Sequence, residues 1–357
     1  MIKHSPLASV SFRLATPDDA HLETYDFTKL TSINTCPTWG VLRYQMHKSM
    51  IDPGTRAMAL EAGVASHDVF AAVRLWTLRD REDLFNTHGL RLFGRERFDS
   101  MRSDWAAAGR EDARRQLLAF ALGALHTSGF YDDPSDRRRT LSNLEEACIA
   151  YCDRYDFTRP VYVSDQGLVG IELAFDIVVV FTPIEGVPVQ ARFVGKIDGI
   201  HTSKDGSYIE VQENKTASRL NDAWRMMFAM SHQVTGYCVA ASVLTEQHID
   251  KAKVIGLAIP LPKAHDYGGY VVEPCTRPPH MIGQWTSWFY HSLLMFRAYK
   301  DTPIIAPKYT HSCNRYFSTC SMLPFCNSDD ADKQDMLNEM YTDEWSPLKV
   351  VNEQVES

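Results

Sequence analysis

The chain has no run of about 18 uncharged apolar residues, the length a membrane-crossing helix needs. Its start, MIKHSPLASVSFRLATPDD, lacks the continuous apolar core of a secretion signal. These absences lead us to expect a cytoplasmic protein without a membrane partner. No Gly-Lys-Ser or Gly-Lys-Thr phosphate loop is present, so no ATP-driven motor is built in. Internal repeats and low-complexity tracts are missing too, which excludes repeat architectures. Positive charge is also in short supply: 37 Lys and Arg against 45 Asp and Glu give a net charge of -8. Affinity for phosphates comes largely from basic side chains, so any nucleic-acid surface has to be local.

The composition that remains is that of a globular chain, since 45% hydrophobic and 23% charged residues are near the average for folded domains. At 357 residues the length allows one large core or two modest ones, and we expect one core with helical additions. Without a secretion signal, the eight cysteines read as metal ligands or buried apolar residues rather than disulfides. Cys313, Cys320 and Cys326 cluster near the C-terminus, and Cys36 stands alone near the N-terminus. Cys148 and Cys152, four residues apart on an expected helix, read as core; Cys238 and Cys275 carry no assigned role.

Helix formers dominate 56–78, 106–128 and 141–155. Arg91, Arg95, Arg97, Arg102, Arg110, Arg114 and Arg115 lie among these helices, either as a local basic face or as a solvated surface paired with acids. After Pro160 the character changes to β-branched runs, VGIELAFDIVVVF, VQARFVGKIDGI and SYIEVQENKT, which predict an antiparallel meander. One long helix is expected over 218–243, then strands at KVIGLAIPL and YGGYVVE, then a helix over 280–299. The acidic tail after Ser328 is expected to be partly flexible.

Lys204-Asp205-Gly206 suits a two-residue hairpin loop with Asp205 and Gly206 at positive φ. Counting back equally on both sides of that loop sets Asp198 opposite Glu213. Directly opposed residues hold their Cβ atoms about 4.5–5.5 Å apart, so the two carboxylates repel unless a cation lies between them. Mg²⁺ or Mn²⁺ meets that need with oxygen ligands and positions open to water and a phosphate. Side chains alternate along a strand, which puts Lys215 on the face of Glu213 and turns Asn214 away. Carboxylates for a metal, with an ammonium for developing negative charge, match phosphodiester hydrolysis.

Five short motifs extend this pattern in order: Gly63-Val-Ala-Ser-His67; Glu172 within VGIELAFD; Gly195-Lys-Ile-Asp198; Glu213-Asn-Lys215-Thr216; and Gln233-Val-Thr-Gly-Tyr237. With them the chain resembles the PD-(D/E)xK nuclease superfamily, and within it the RecB-like and CRISPR-associated exonuclease branch. The resemblance implies an α/β restriction-endonuclease-like core, a central mixed sheet flanked by helices, with an inserted helical region. It implies His67, Asp198 and Glu213 as metal ligands, Lys215 as the catalytic lysine and Glu172 as an accessory acid. Asp176 shares the strand face of Glu172 and is the alternative acid. Gln233 and Tyr237 lie on one helical face, placed to contact the active-site lysine or a DNA strand.

The same resemblance implies that Cys36, in a Cys-Pro context with Trp39 and Tyr44 following, joins Cys313, Cys320 and Cys326 around a [4Fe–4S] cluster. Four thiolates also suit structural Zn²⁺, and His311 is an alternative ligand. Such a group would staple the N- and C-terminal parts of the chain, closing a long loop. The expected division is an N-terminal segment over 1–55, a helical region over 56–160, a nuclease core over 161–300 and the cysteine cluster with the tail over 301–357. The resemblance implies a metal-dependent exonuclease on single-stranded DNA or DNA ends. Recombination, repair, CRISPR adaptation or phage DNA processing are its settings, with a helicase or recombination protein as partner, in the cytoplasm of a bacterial, archaeal or phage-infected cell. An endonuclease of the same fold, or a non-catalytic DNA-binding iron–sulfur subunit, remains the alternative.

Overall fold

A computed structural model describes residues 7–52, 55, 57–109, 112–259, 269–300, 303–315, 318–342 and 346. Arg56, Arg110, Glu111, Pro260, Leu261, Tyr267 and Gly268, within the elements expected above, and the end of the acidic tail lie outside the described residues. In chain order the elements are β1 (Leu7–Leu14), β2 (Thr24–Tyr25), α1 (Phe27–Thr35), α2 (Pro37–Tyr44) and β3 (Lys48–Ser49). Four helices follow: α3 (Met58–Trp76), α4 (Glu82–Ala107), α5 (Ala113–His126) and α6 (Leu141–Arg154). Then come β4 (Ile171–Pro183), β5 (Val189–Thr202), β6 (Ile209–Ala217), α7 (Asp222–Ala229), α8 (His232–Thr245), β7 (Lys251–Ala258), β8 (Tyr270–Thr276) and α9 (Pro279–Ala298). Two short helices, α10 (Leu323–Asn327) and α11 (Asp330–Glu339), come next, followed by a two-residue strand at Tyr341–Thr342. No helix among the described residues is long and apolar enough to cross a membrane.

The fold is α/β, with a mixed sheet flanked by helices. Its hydrogen-bonded order is β1-β4-β5-β6-β7-β8, with β2 added to β5. β5 and β6 pair antiparallel, as expected of a hairpin, whereas β6 and β7 are parallel. A parallel pair cannot be closed by a tight turn, and α7 and α8 form the required crossover. The long helix expected over 218–243 is therefore two. Ser231 accepts a bond from the Val234 amide and starts a new helix after the first has ended at Ala229.

The chain divides into two compact units, one of residues 1–55, 176–195 and 282–351, the other of 56–175, 196–281 and 352–357. In the second unit α3 to α6 share an apolar core with Ile171 of β4 and Ile255 and Leu257 of β7, in which Phe70, Phe98, Phe120 and Tyr151 are fully enclosed. Cys148 and Cys152 sit in that core, as their spacing suggested. The arginine-rich stretch between the expected helices is itself helical. It forms most of α4, which breaks at Gly94 (φ 70, ψ 166), and residues 106–107, expected to begin the next helix, end this one. Two of its arginines, and Arg114 of α5, bind protein partners, Arg114 doing so at the surface. Arg97 binds Asp68 at 2.5 Å, Arg114 takes Asp153 in a two-pronged contact at 2.8 and 2.9 Å, and Arg91 reaches backbone carbonyls.

In the first unit an aromatic cluster of Tyr25, Phe181, Phe193, Trp285 and Phe289 joins β2, β4, β5 and α9. A smaller apolar cluster holds α2 against the C-terminal helices through Leu42, Met322, Phe325 and Leu337. β3 pairs with Tyr341–Thr342, so part of the acidic tail is ordered structure.

The β5–β6 hairpin carries the expected register: Gly199 faces Gln212, Ile200 faces Val211 and His201 faces Glu210. Its loop is not the two-residue type. The Ser203 amide donates to the Tyr208 carbonyl and the Gly206 amide to the Ser203 carbonyl, leaving 204–207 as a four-residue loop. Gly206 has φ 73, and Asp205 is not at positive φ. Asp205 instead accepts from the Ser203 hydroxyl and from the Ser207 amide and hydroxyl. Because two residues were added symmetrically, the register was unaffected.

His201, on this hairpin, is fully buried, and its Nδ1 lies 3.3 Å from the Arg159 carbonyl. Burial, then the Arg74 charge, push its pKa down to about 3, against the contact with the Arg159 carbonyl. The unfolded chain therefore binds a proton that the folded one refuses once the pH falls below about 6.5. Stability is fully present above that pH and is lost on the way down towards about 3. The expected slope from this residue is about 1.4 kcal/mol per pH unit. Urea unfolding at several pH values, with His201→Phe beside the wild type, measures it; identical slopes would show that His201 is not the source.

Candidate metal site

The site lies within the second unit, where α3 delivers His67, β4 Glu172, β5 Asp198 and β6 both Glu213 and Lys215. His67 is in the middle of α3, and Gly63, one turn earlier, faces Thr216 at the end of β6, where an added Cβ would sit 3.9 Å from the threonine hydroxyl. Glu172 is the second residue of β4 and has φ 43, a left-handed conformation unusual for a side-chain-bearing residue. Arg91 of α4 donates to the carbonyls of Ile171 at 2.7 Å and Glu172 at 3.3 Å, which ties down this distorted turn. Asp198 is on β5, and Glu213 and Lys215 share one face of β6.

These elements bring together His67, Glu172 and Asp198, whose ligand atoms all lie within 4.8 Å of one another; among the described residues no other group of three is so placed. His67 Nδ1 is 3.4 Å from Asp198 Oδ1 and 3.8 Å from Glu172 Oε1. Glu213 is outside this trio, with its Oε1 2.6 Å from Lys215 Nζ, while its Oε2 is buried without a hydrogen-bond partner among the described residues. Lys196 Nζ lies 2.8 Å from Glu172 Oε2. The alternative acid, Asp176, belongs to the other unit and is held by Arg192.

The electrostatics show how tightly negative charge is packed. Glu172, Asp198 and Glu213 are 4%, 5% and 2% exposed, so water screens them poorly. Burial and the Asp198 charge push Glu213 upward, with Lys215 and His67 opposing. Burial would also raise Asp198, but His67, Arg74 and Lys215 hold it below the usual carboxylate range. Burial opposes charge on His67, yet Asp198 and Glu172 outweigh it and push the imidazole up to about 10. A proton on His67 thus stands where a metal ion would supply positive charge. Two carboxylates and an imidazole suit a divalent ion, and the unpartnered Glu213 oxygen adds a further oxygen donor nearby.

A second layer was not singled out by sequence reasoning. Asp198 Oδ2 accepts from the Asn214 backbone amide at 2.7 Å. The Asn214 side-chain oxygen is assigned towards Arg74, which is 0% exposed and donates to it through both terminal nitrogens. Gly199 makes room for this arginine: a Cβ there would lie 2.6 Å from Arg74 Nε. An arginine on the inner face of a helix is a readable signal, because such a charge is rarely enclosed without a purpose. Gln233 and Tyr237 meet each other, Nε2 to Oη at 3.0 Å, and the Tyr237 ring packs edge-on against Phe175.

The four cysteines from the chain ends all fall in the first unit. Cys36 joins α1 to α2, Cys326 is in α10, and the Cys320 amide donates to the Cys313 carbonyl at 2.7 Å. Their thiols are not gathered into a metal-binding group. They do influence one another: burial raises the Cys326 thiol, Lys308 opposes, and Cys36, Cys320 and Cys313 add to the rise. A cavity of about 220 Å³ is lined by Cys36, Trp39, Ser312, Thr319 and Cys320. His311 stacks on Tyr309. Cys238 and Cys275 are buried.

No protein-family model matches the chain, and no curated protein resembles it significantly.

An ion held by the trio binds only the folded state. Mn²⁺ at one hundred times its Kd should stabilise the protein by about 2.7 kcal/mol. Thermal melts with and without Mn²⁺ measure the gain, which His67→Ala and Asp198→Asn should lose; equal gains in all three proteins would place the ion elsewhere.

Proposed function

We propose that this chain is a metal-dependent deoxyribonuclease, hydrolysing phosphodiester bonds as an exonuclease on single-stranded DNA or DNA ends. The observation that carries the reading is the convergence of His67, Glu172 and Asp198 beside the Glu213–Lys215 pair. The ordered motifs of the PD-(D/E)xK resemblance support it. Mg²⁺ or Mn²⁺, when bound, supplies Lewis-acid polarisation of a phosphate and a more acidic water.

The protein's own groups do the rest. His67, Glu172 and Asp198 would hold the ion, and Glu213, on the strand paired with that of Asp198, has a buried oxygen without a partner among the described residues. Burial works against the Lys215 ammonium, but Glu213 and Asp198 keep it firmly protonated. Lys215 therefore offers a fixed cation to negative charge developing on the phosphate. The Asn214 amide and Arg74 fix Asp198 from behind, so that the ligand is oriented before the substrate arrives. Gln233 and Tyr237 pair on α8, where the buried Tyr237 orients Gln233 and only Gln233 is open to a DNA strand. The same reading assigns Cys36, Cys313, Cys320 and Cys326 to a [4Fe–4S] cluster or to Zn²⁺. It gives the protein DNA and a helicase or recombination protein as partners, in the cytoplasm.

End-labelled single- and double-stranded DNA, incubated with Mg²⁺ or Mn²⁺, tests the proposal. Asp198→Ala and Lys215→Ala should each lower the rate by about 10²-fold or more, the scale on which loss of one charge-stabilising group is felt. Equal rates in wild type and both variants would sink it. An exonuclease spares closed circular DNA, and cutting of circles would establish the endonuclease instead.

A further inference from the structure

The site holds two lysines, and each is engaged differently. Lys215 is bound to Glu213, which is not one of the three converging ligands. Lys196 is bound to Glu172, which is one of them, through Oε2 at 2.8 Å, while Glu172 Oε1 faces His67. Lys196 lies two residues before Asp198 on β5, so both side chains leave the strand on the same side. Its side chain is 42% exposed, against 6% for Glu172, so it spans from the buried acid to solvent. A long, flexible ammonium of this kind is a mobile point charge rather than a fixed fork.

We infer that Lys196 stands in for a divalent cation at Glu172 in the metal-free protein, and that metal binding releases its ammonium to receive a phosphate of the DNA strand. The inference rests on the proposed metal-dependent nuclease. An ion and an ammonium on the same carboxylate compete, because each satisfies negative charge that the other would leave over-compensated. Displaced, the Lys196 ammonium turns from the buried acid to the solvent its side chain already partly reaches, where it meets a substrate phosphate. Lys215 holds Glu213 through Oε1, and Glu213 stands outside the converging trio, so an ion among the three ligands leaves that pairing in place. The two lysines thus differ in role: Lys215 is a standing charge of the site, and Lys196 is a substrate-binding charge made available by the metal. DNA affinity and metal affinity become coupled, each raising the other.

The full-length wild type, Lys196→Met and His67→Ala are titrated with Mn²⁺ and followed by the electron paramagnetic resonance signal of the free ion. Single-stranded DNA binding is measured in parallel by fluorescence anisotropy, without metal and with Ca²⁺. Lys196→Met should bind Mn²⁺ about 10-fold tighter than wild type, equivalent to about 1.4 kcal/mol. With Ca²⁺ it should bind DNA several-fold more weakly, with a salt dependence reduced by about one phosphate contact. Without metal its DNA affinity should equal that of wild type, an outcome that a merely structural lysine would not give. Unchanged or weaker Mn²⁺ binding by Lys196→Met, or an equal loss of DNA affinity with and without metal, overturns the inference alone. Equal Mn²⁺ binding by wild type and His67→Ala ends the metal-site reading, and this inference with it.

Discussion

Three carboxylates, Glu172, Asp198 and Glu213, are buried on neighbouring strands, and their repulsion is the constraint around which the second unit is organised. Unscreened like charges are tolerated only where positive charge is supplied nearby. The protein supplies it from four directions: His67 from α3, Lys196 from β5, Lys215 from β6 and Arg74 from beneath. Glu213 still bears the remainder, since Asp198 and burial push it upward. Four cations already outnumber three carboxylates, so a divalent ion binds here by replacing positive charge, the His67 proton and the Lys196 ammonium, rather than by adding to it.

The surrounding architecture holds these charges in place. Parallel pairing of β6 with β7 forces the chain through α7 and α8, and α8 carries Gln233 and Tyr237 back over the sheet. Gly199 leaves space for Arg74, which fixes Asn214 and through its strand the Asp198 carboxylate. Arg91 clamps the backbone where Glu172 adopts its left-handed turn. Backbone strain at a side chain that faces a charged cluster is a common mark of a functional position, because packing elsewhere must enforce it.

Much of this was legible from residue order. The hairpin register followed from the turn composition, and it held although the loop contains four residues, because the extra pair was symmetric about Asp205 and Gly206. The strands over 171–217 and the helices α3, α5, α6 and α9 were readable from periodicity and β-branched content. The break at Ser231 was not, since an N-cap inside a helix-forming stretch looks like any other serine until the parallel strand demands a crossover. Lys196 escaped notice for a different reason: its meaning depends on the carboxylate it reaches across the fold, of which local sequence carries no record, whereas Arg74 left a trace as a charge within the apolar run of α3. The thiols of Cys36, Cys313, Cys320 and Cys326 lie in one unit as their positions suggested, yet sequence spacing says nothing about how closely they approach.

The central claim is that His67, Glu172 and Asp198 form one divalent-ion site. Crystals of the wild-type protein soaked in MnCl₂ and measured at the manganese absorption edge test it most directly. The account predicts an anomalous peak within bonding distance of His67 Nδ1 and of both carboxylates, with Lys196 turned away from Glu172. A map with no peak there, at saturating Mn²⁺, would contradict it.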